Sequence, residues 1–148
     1  NKPSAGPFYL VWRDARGAGV APSEWPYQIA VIRVQSALAA RFPKIVPDSK
    51  ASAQEWAGST AYEKQCFGCH TMNRQGDAKM GPDLNVPMNA TEYFTESALR
   101  KLVRDPKSVR EWSAGVMPGF DASRLGEAEL DAIIAYLKHM AARKVAQP

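Results

Sequence analysis

The clearest pattern of apolar and polar positions lies near the C-terminal end of the sequence. Leu130, Ile133, Ile134, Leu137 and Met140 recur at helical spacing. They predict an apolar stripe on a helix over Glu127–Met140. Gly126 is a tolerable N-cap, and Glu127 and Glu129 place negative charge in the first turn. Lys138, Arg143 and Lys144 place positive charge toward the other end. A second helix is expected over Glu96–Arg104, with Leu99, Leu102 and Val103 on one face and Asp105-Pro106 as its stop. Ala53–Cys66 contains few breakers and reads as a third, with Gly58, Tyr62 and Cys66 one turn apart. Residues 1–50 differ. Pro3, Pro7, Pro22, Pro26, Pro43 and Pro47 forbid long helices there. Phe8–Trp12 and Tyr27–Val34 are rich in aromatic and β-branched residues and read as strands. A Gly/Pro-rich loop, Arg13–Pro26, separates them. A lone hairpin is barely stable in water, so this arm is expected to pack on the rest of the chain or on a partner. Ser36–Phe42 has room for one or two helical turns, and Pro43–Lys50 reads as a linker. The expected organisation is a Pro-rich extension over 1–50 and a helical domain over 51–148.

Composition narrows the class. The chain has 148 residues, a usual length for one domain. Its 45% hydrophobic and 23% charged residues are near globular averages, which argues against wholesale disorder. Two cysteines exclude a disulfide-dense scaffold and an all-cysteine zinc site. The longest uncharged apolar stretch, around Trp25–Ile32, is far short of the roughly 20 residues that a membrane helix needs. No secretory n-region and h-region opens the sequence, as expected of a mature protein or a soluble fragment. A formal charge of +4 permits an acidic protein partner and does not by itself argue for nucleic acid.

Both cysteines fall in Cys66-Phe67-Gly68-Cys69-His70, the attachment signature for c-type haem. Two thiols three positions apart reach the two vinyl groups of one porphyrin and become thioethers. The adjacent histidine then supplies an axial imidazole to the iron. A redox disulfide needs a strand-to-helix context, whereas a helical stretch precedes this motif. A zinc site needs about four ligands, and only His70 and His139 stand beside the cysteines. A six-coordinate electron-transfer haem commonly takes a methionine as its second axial ligand. Met72 is too close to His70 to reach the opposite face, and Met140 belongs to the apolar stripe. Met80 and Met88 flank Gly81-Pro82 in a loop and read as surface or core. Met117 lies in Gly115-Val116-Met117-Pro118-Gly119-Phe120, a glycine-bounded, proline-stiffened loop between two helices, and is the expected sixth ligand. A ligating histidine normally donates its other ring N–H to a carbonyl, and Pro82 is the expected acceptor.

At these residues the chain resembles a class I cytochrome c, over roughly Ala53 to Ala142. Gly58 and Tyr62 match the small residue and the aromatic of that family's first helix. Cys66, Cys69 and His70 match its attachment site, and Gly81-Pro82-Asp83-Leu84 its turn after the proximal histidine. Arg104-Asp105-Pro106 is similar to the end of its middle helix, Met117-Pro118 to its methionine loop, and Ala135-Tyr136-Leu137 to its last helix. The resemblance implies a mostly α fold of three to four helices around one haem, preceded here by an irregular or short β-hairpin extension. It implies that the last helix crosses the first near Gly58, whose missing side chain permits the approach, with Tyr136 stacking nearby. It implies one haem c, held through Cys66 and Cys69, with iron held by His70 and Met117. Pro82, Leu84, Trp112 and Phe120 are expected near the cofactor.

The implied function is electron transfer and not enzyme catalysis, because both axial positions of the iron are filled. The implied partners are redox proteins: a dehydrogenase donor and a terminal oxidase or another cytochrome as acceptor. Neither nucleic acid nor a membrane span is expected. Arg74, Lys79, Lys101 and Arg104 are expected to steer an acidic partner. Export to a bacterial periplasm follows from the resemblance, since such families attach haem outside the cytoplasm. Residues 6–12 and 24–28 resemble segments of haem-containing companions of molybdenum-cofactor oxidoreductases of the sulfite-dehydrogenase kind. That makes residues 1–50 a candidate docking arm on an oxidoreductase, with an extension that simply wraps the haem domain as the alternative. A haem enzyme or gas sensor has little support: no distal histidine suggests itself, and His139 lies on the terminal helix.

Overall fold

Helix α2 (Ala53–Gln65) starts at a capping box. The Ser52 hydroxyl accepts from the Glu55 N–H at 3.2 Å, and the Glu55 carboxylate accepts from the Ser52 N–H at 2.6 Å. The remaining helices of the computed structural model are α1 (Leu38–Arg41), α3 (Ala90–Tyr93), α4 (Glu96–Arg104), α5 (Pro106–Val109) and α6 (Glu127–Ala141). A 3₁₀ turn, Pro43–Ile45, follows α1. The structure describes residues 9–20, 24–26, 29, 31–32, 34–111 and 115–146. Side-chain oxygens of Asn89 and Thr95 cap α3 and α4, and the Glu129 carboxylate accepts from the Gly126 N–H ahead of α6.

The fold turns on the crossing of α2 and α6. All five residues of the predicted α6 stripe are buried, and Ala132 and Tyr136 are buried with them. At the crossing point Gly58 lies directly on α6. A Cβ there would sit 1.9 Å from the Ala132 carbonyl oxygen and 2.8 Å from the Tyr136 Cβ. One turn on, the Tyr62 and Tyr136 rings pack 5.2 Å apart, and both side chains are fully enclosed. Burial pushes both phenols well above their ordinary range, so they stay protonated and act as donors. The Tyr136 hydroxyl donates to the Ile45 carbonyl at 2.7 Å. Leu99 of α4 and Phe120 and Leu125 of the following loop complete the core.

The chain divides into two compact units, Asn1–Ala37 and Leu38–Pro148. Residues 43–50, expected as a linker, therefore lie with the helical unit. Ile45 is fully buried, and Leu38, Phe42 and Val46 pack against the same core. Within the first unit, the Asp14 carbonyl and carboxylate accept from Ala18 and Gly17 N–H groups, and the Trp12 indole donates to the Glu24 carbonyl. The expected hairpin is not shown, since it falls in part outside the described residues. Among the described residues there is no strand, and Phe8, Tyr27, Gln28, Ala30 and Arg33 lie outside them. Tyr9, Val11, Val31, Ile32 and Val34 are exposed.

Candidate functional site

The end of α2 delivers the cysteines. The Cys66 N–H still donates to the Tyr62 carbonyl, and the Cys66 carbonyl then accepts from both Cys69 and His70 N–H groups, at 3.0 and 2.9 Å. This tight turn leaves both thiols outside any disulfide. Desolvation, and after it the neighbouring Cys69, push the Cys66 thiol up to about 12. A redox-active Cys-x-x-Cys pair shows the opposite shift. Among the described residues, no group of three or more His, Cys, Asp or Glu side chains is placed to hold a metal ion.

Downstream, residues 69–71 are clasped to residues 81–84. The Cys69 carbonyl accepts from the Gly81 N–H at 2.8 Å, and the Thr71 carbonyl accepts from the Leu84 N–H at 3.0 Å. Between them, His70 Nδ1 lies 2.8 Å from the Pro82 carbonyl oxygen. A carbonyl only accepts, so Nδ1 carries a proton, and in the neutral ring Nε2 is then the nitrogen with the lone pair. Gly81 lies flat against the imidazole: a Cβ there would come within 2.5 Å of Cε1. Asp83 secures the clasp from outside. Its carboxylate accepts from the Thr71 hydroxyl (2.9 Å) and from the Arg74, Asn85 and Val86 N–H groups (2.6, 2.8 and 2.9 Å). Arg74 has a φ of 62°, a left-handed conformation disfavoured for its side chain and held here by that bond.

Three buried asparagines fasten the clasp to α6. The Asn89 amide donates to the Leu137 carbonyl and to Asn85 Oδ1. The Asn85 amide donates to the Met140 carbonyl and to Asn73 Oδ1. The Asn73 amide donates to the Lys44 and Arg143 carbonyls. Each is fully or almost fully enclosed, and each finds its partners, as buried amides must.

The methionine loop is anchored at the other end of α4. The Phe120 N–H donates to the Val103 carbonyl at 3.0 Å, and the Arg104 guanidinium donates to the Phe120 and Leu125 carbonyls. Met117 is half-buried against the core, Phe120 is buried and Leu84 packs on the same cluster. Met72 and Met140 are core residues, while Met80 and Met88 are exposed. Trp112, expected near the cofactor, lies outside the described residues. Arg74, Lys79 and Lys101 face solvent, whereas Arg104, expected among the steering charges, is half-buried and bonded. Sequence reasoning missed Asp83, the asparagine chain and the role of Arg104. The only local signal was the density of Asn and Asp between residues 73 and 89.

These residues fit a covalently held haem: two adjacent thiols, a histidine with one nitrogen fixed and the other free, and a glycine where a side chain would collide with that ring. A family model for cytochrome c matches residues 56–141, more than half of the chain. The chain belongs to the cytochrome c family. Membership carries covalent haem, iron and electron transfer, and with them redox partners. No curated protein and no solved structure matches the chain. Among the described residues, no helix is long and apolar enough to cross a membrane.

Proposed function

We propose that this protein is a monohaem electron carrier of the bacterial periplasm, taking electrons from a dehydrogenase and passing them to an oxidase or another cytochrome. Cys66 and Cys69 hold the haem as thioethers, and His70 Nε2 and Met117 Sδ hold its iron. When bound, the haem supplies a one-electron ferric–ferrous couple. The observation that carries the reading is the commitment of His70 Nδ1 to the Pro82 carbonyl. It fixes the tautomer, orients the ring and raises the basicity of Nε2. Met117 is favoured as the second ligand because Met80 and Met88 ride on the clasp that holds His70, whereas the loop of Met117 is anchored separately on α4. Methionine ligation raises the potential, and with both axial positions filled no substrate site remains, which makes the protein a carrier and not an enzyme. Leu84 and Phe120 keep the pocket apolar. The direct test is haem stoichiometry after denaturation. One haem per chain is expected to remain attached in wild type. Cys66→Ala with Cys69→Ala is expected to release it completely, and retention of stably attached haem in the double variant would exclude this attachment site.

A second reading is favoured by one observation in the first unit. Tyr9, Val11, Val31, Ile32 and Val34 are 64–100% exposed. Apolar side chains left exposed in such number are candidate anchors for a partner. In this reading the chain is a tightly bound haem subunit of an oxidoreductase, docked through its extension, and the resemblance of that extension points to a molybdenum-dependent enzyme. Removal of residues 1–37 leaves the second unit whole, whereas a cut at 45 would remove the partner of Tyr136. The truncated protein is expected to keep its spectrum and lose its enzyme. Unchanged association with the enzyme would sink the docking role.

A further inference from the structure

We infer that Arg104 is a positioning residue that clamps the methionine loop in ligating register, and not a docking charge; this rests on Met117 as the axial ligand. Its side chain is 22% exposed and its charge is already matched by Glu127, at 2.6 Å. The other guanidinium nitrogen, Nη1, spans two backbone carbonyls, Phe120 at 2.9 Å and Leu125 at 2.6 Å. These carbonyls bracket the segment that joins the methionine loop to α6. The backbone of the same helix end grips the loop again. The Val103 carbonyl accepts from the Phe120 N–H at 3.0 Å, and Gly119 packs so closely that a Cβ there would lie 2.6 Å from the Arg104 carbonyl oxygen. Phe120, three residues past Met117, is thus bonded through both its N–H and its C=O to the end of α4. A planar guanidinium satisfies two carbonyls and a carboxylate at once, which a lysine ammonium on its flexible stem cannot match in geometry. Arg100, one turn earlier, offers an internal comparison. It pairs only with carboxylates, Glu96 at 2.9 Å, Asp131 at 2.5 Å and Glu127 at 3.7 Å, and touches no loop carbonyl.

Imidazole binding to the ferric holoprotein reads the fraction of time that the methionine is off the iron. Arg104→Gln is expected to speed it at least about tenfold, the factor corresponding to loss of one charge-assisted hydrogen bond. Hydrogen exchange at the Phe120 amide is expected to rise with it. Arg104→Lys, which keeps the pair with Glu127, is expected to move both readouts in the same direction by less. It also serves where Arg104→Gln fails to fold. Glu127→Gln and Arg100→Leu are expected to change stability and leave both readouts as in wild type. Wild-type imidazole binding and Phe120 exchange in Arg104→Lys and Arg104→Gln, with fast binding in Met117→Ala, would overturn the clamp alone. Slow binding in Met117→Ala itself would overturn the ligand assignment, and the clamp with it.

Discussion

Gly58→Ala is expected to destabilise the helical unit by about 3 kcal/mol or more, with a fall in melting temperature on the order of 10 °C. The sign is what makes this informative. In an ordinary helix interior, glycine to alanine adds roughly 1 kcal/mol of stability, because alanine loses less backbone entropy. Here the new methyl carbon would lie 1.9 Å from the Ala132 carbonyl oxygen, a backbone atom that no rotamer change can move. Helices α2 and α6 must then separate, which loosens the Tyr62–Tyr136 contact and draws the Tyr136 hydroxyl from the Ile45 carbonyl. Denaturant unfolding of the two proteins side by side provides the measurement. A variant as stable as wild type would show that the crossing is looser than described. Gly58→Val should be worse, because β-branching adds bulk at the same point.

Met117→Ala is expected to lower the midpoint potential by on the order of 0.1 V or more while leaving the haem attached. The weak far-red absorption of the oxidised protein should vanish with the sulfur ligand. Met80→Ala and Met88→Ala should leave both properties in place. These two side chains are exposed, and their segments are tied through Gly81 and the asparagines to the loop that carries the Pro82 carbonyl. Loss of the far-red band in either of those variants, with Met117→Ala unchanged, would move the ligand to the other residue. Potentiometry with spectra of both oxidation states decides the matter in one series.

The sequence made some of these features legible and hid others, for physical reasons. Helix α6 is written plainly because its stripe is large and apolar, and every position of it is buried. Helix α4 is bounded by Thr95 and Asp105-Pro106, so its ends agree with expectation. Helix α2 buries Gly58, Ser59, Ala61 and Tyr62, a mostly small and partly polar set that makes no stripe. Only the lack of breakers and the spacing to Cys66 announced it. The proline-rich stretch 43–50 looked like a linker because nothing local shows that Ile45 is enclosed. Its partner Tyr136 stands 91 residues away. Asn73, Asn85 and Asn89 carried no signal for the same reason: their acceptors are on α6 or just past its end, 48 to 70 residues on. Arg104 is indistinguishable from a solvated arginine until Phe120 and Leu125 present their carbonyls to it.

The bond from Tyr136 to Ile45 joins nearly the two ends of the helical unit. A chain emerging N-terminus first exposes α2, the cysteine turn and the His70 clasp well before α6 exists to cover them. Closure of such distant contacts is slow compared with local helix formation. Until α6 docks, the two thiols therefore stand in an unclosed chain. The last fifteen-residue helix then acts as the latch that ends that interval.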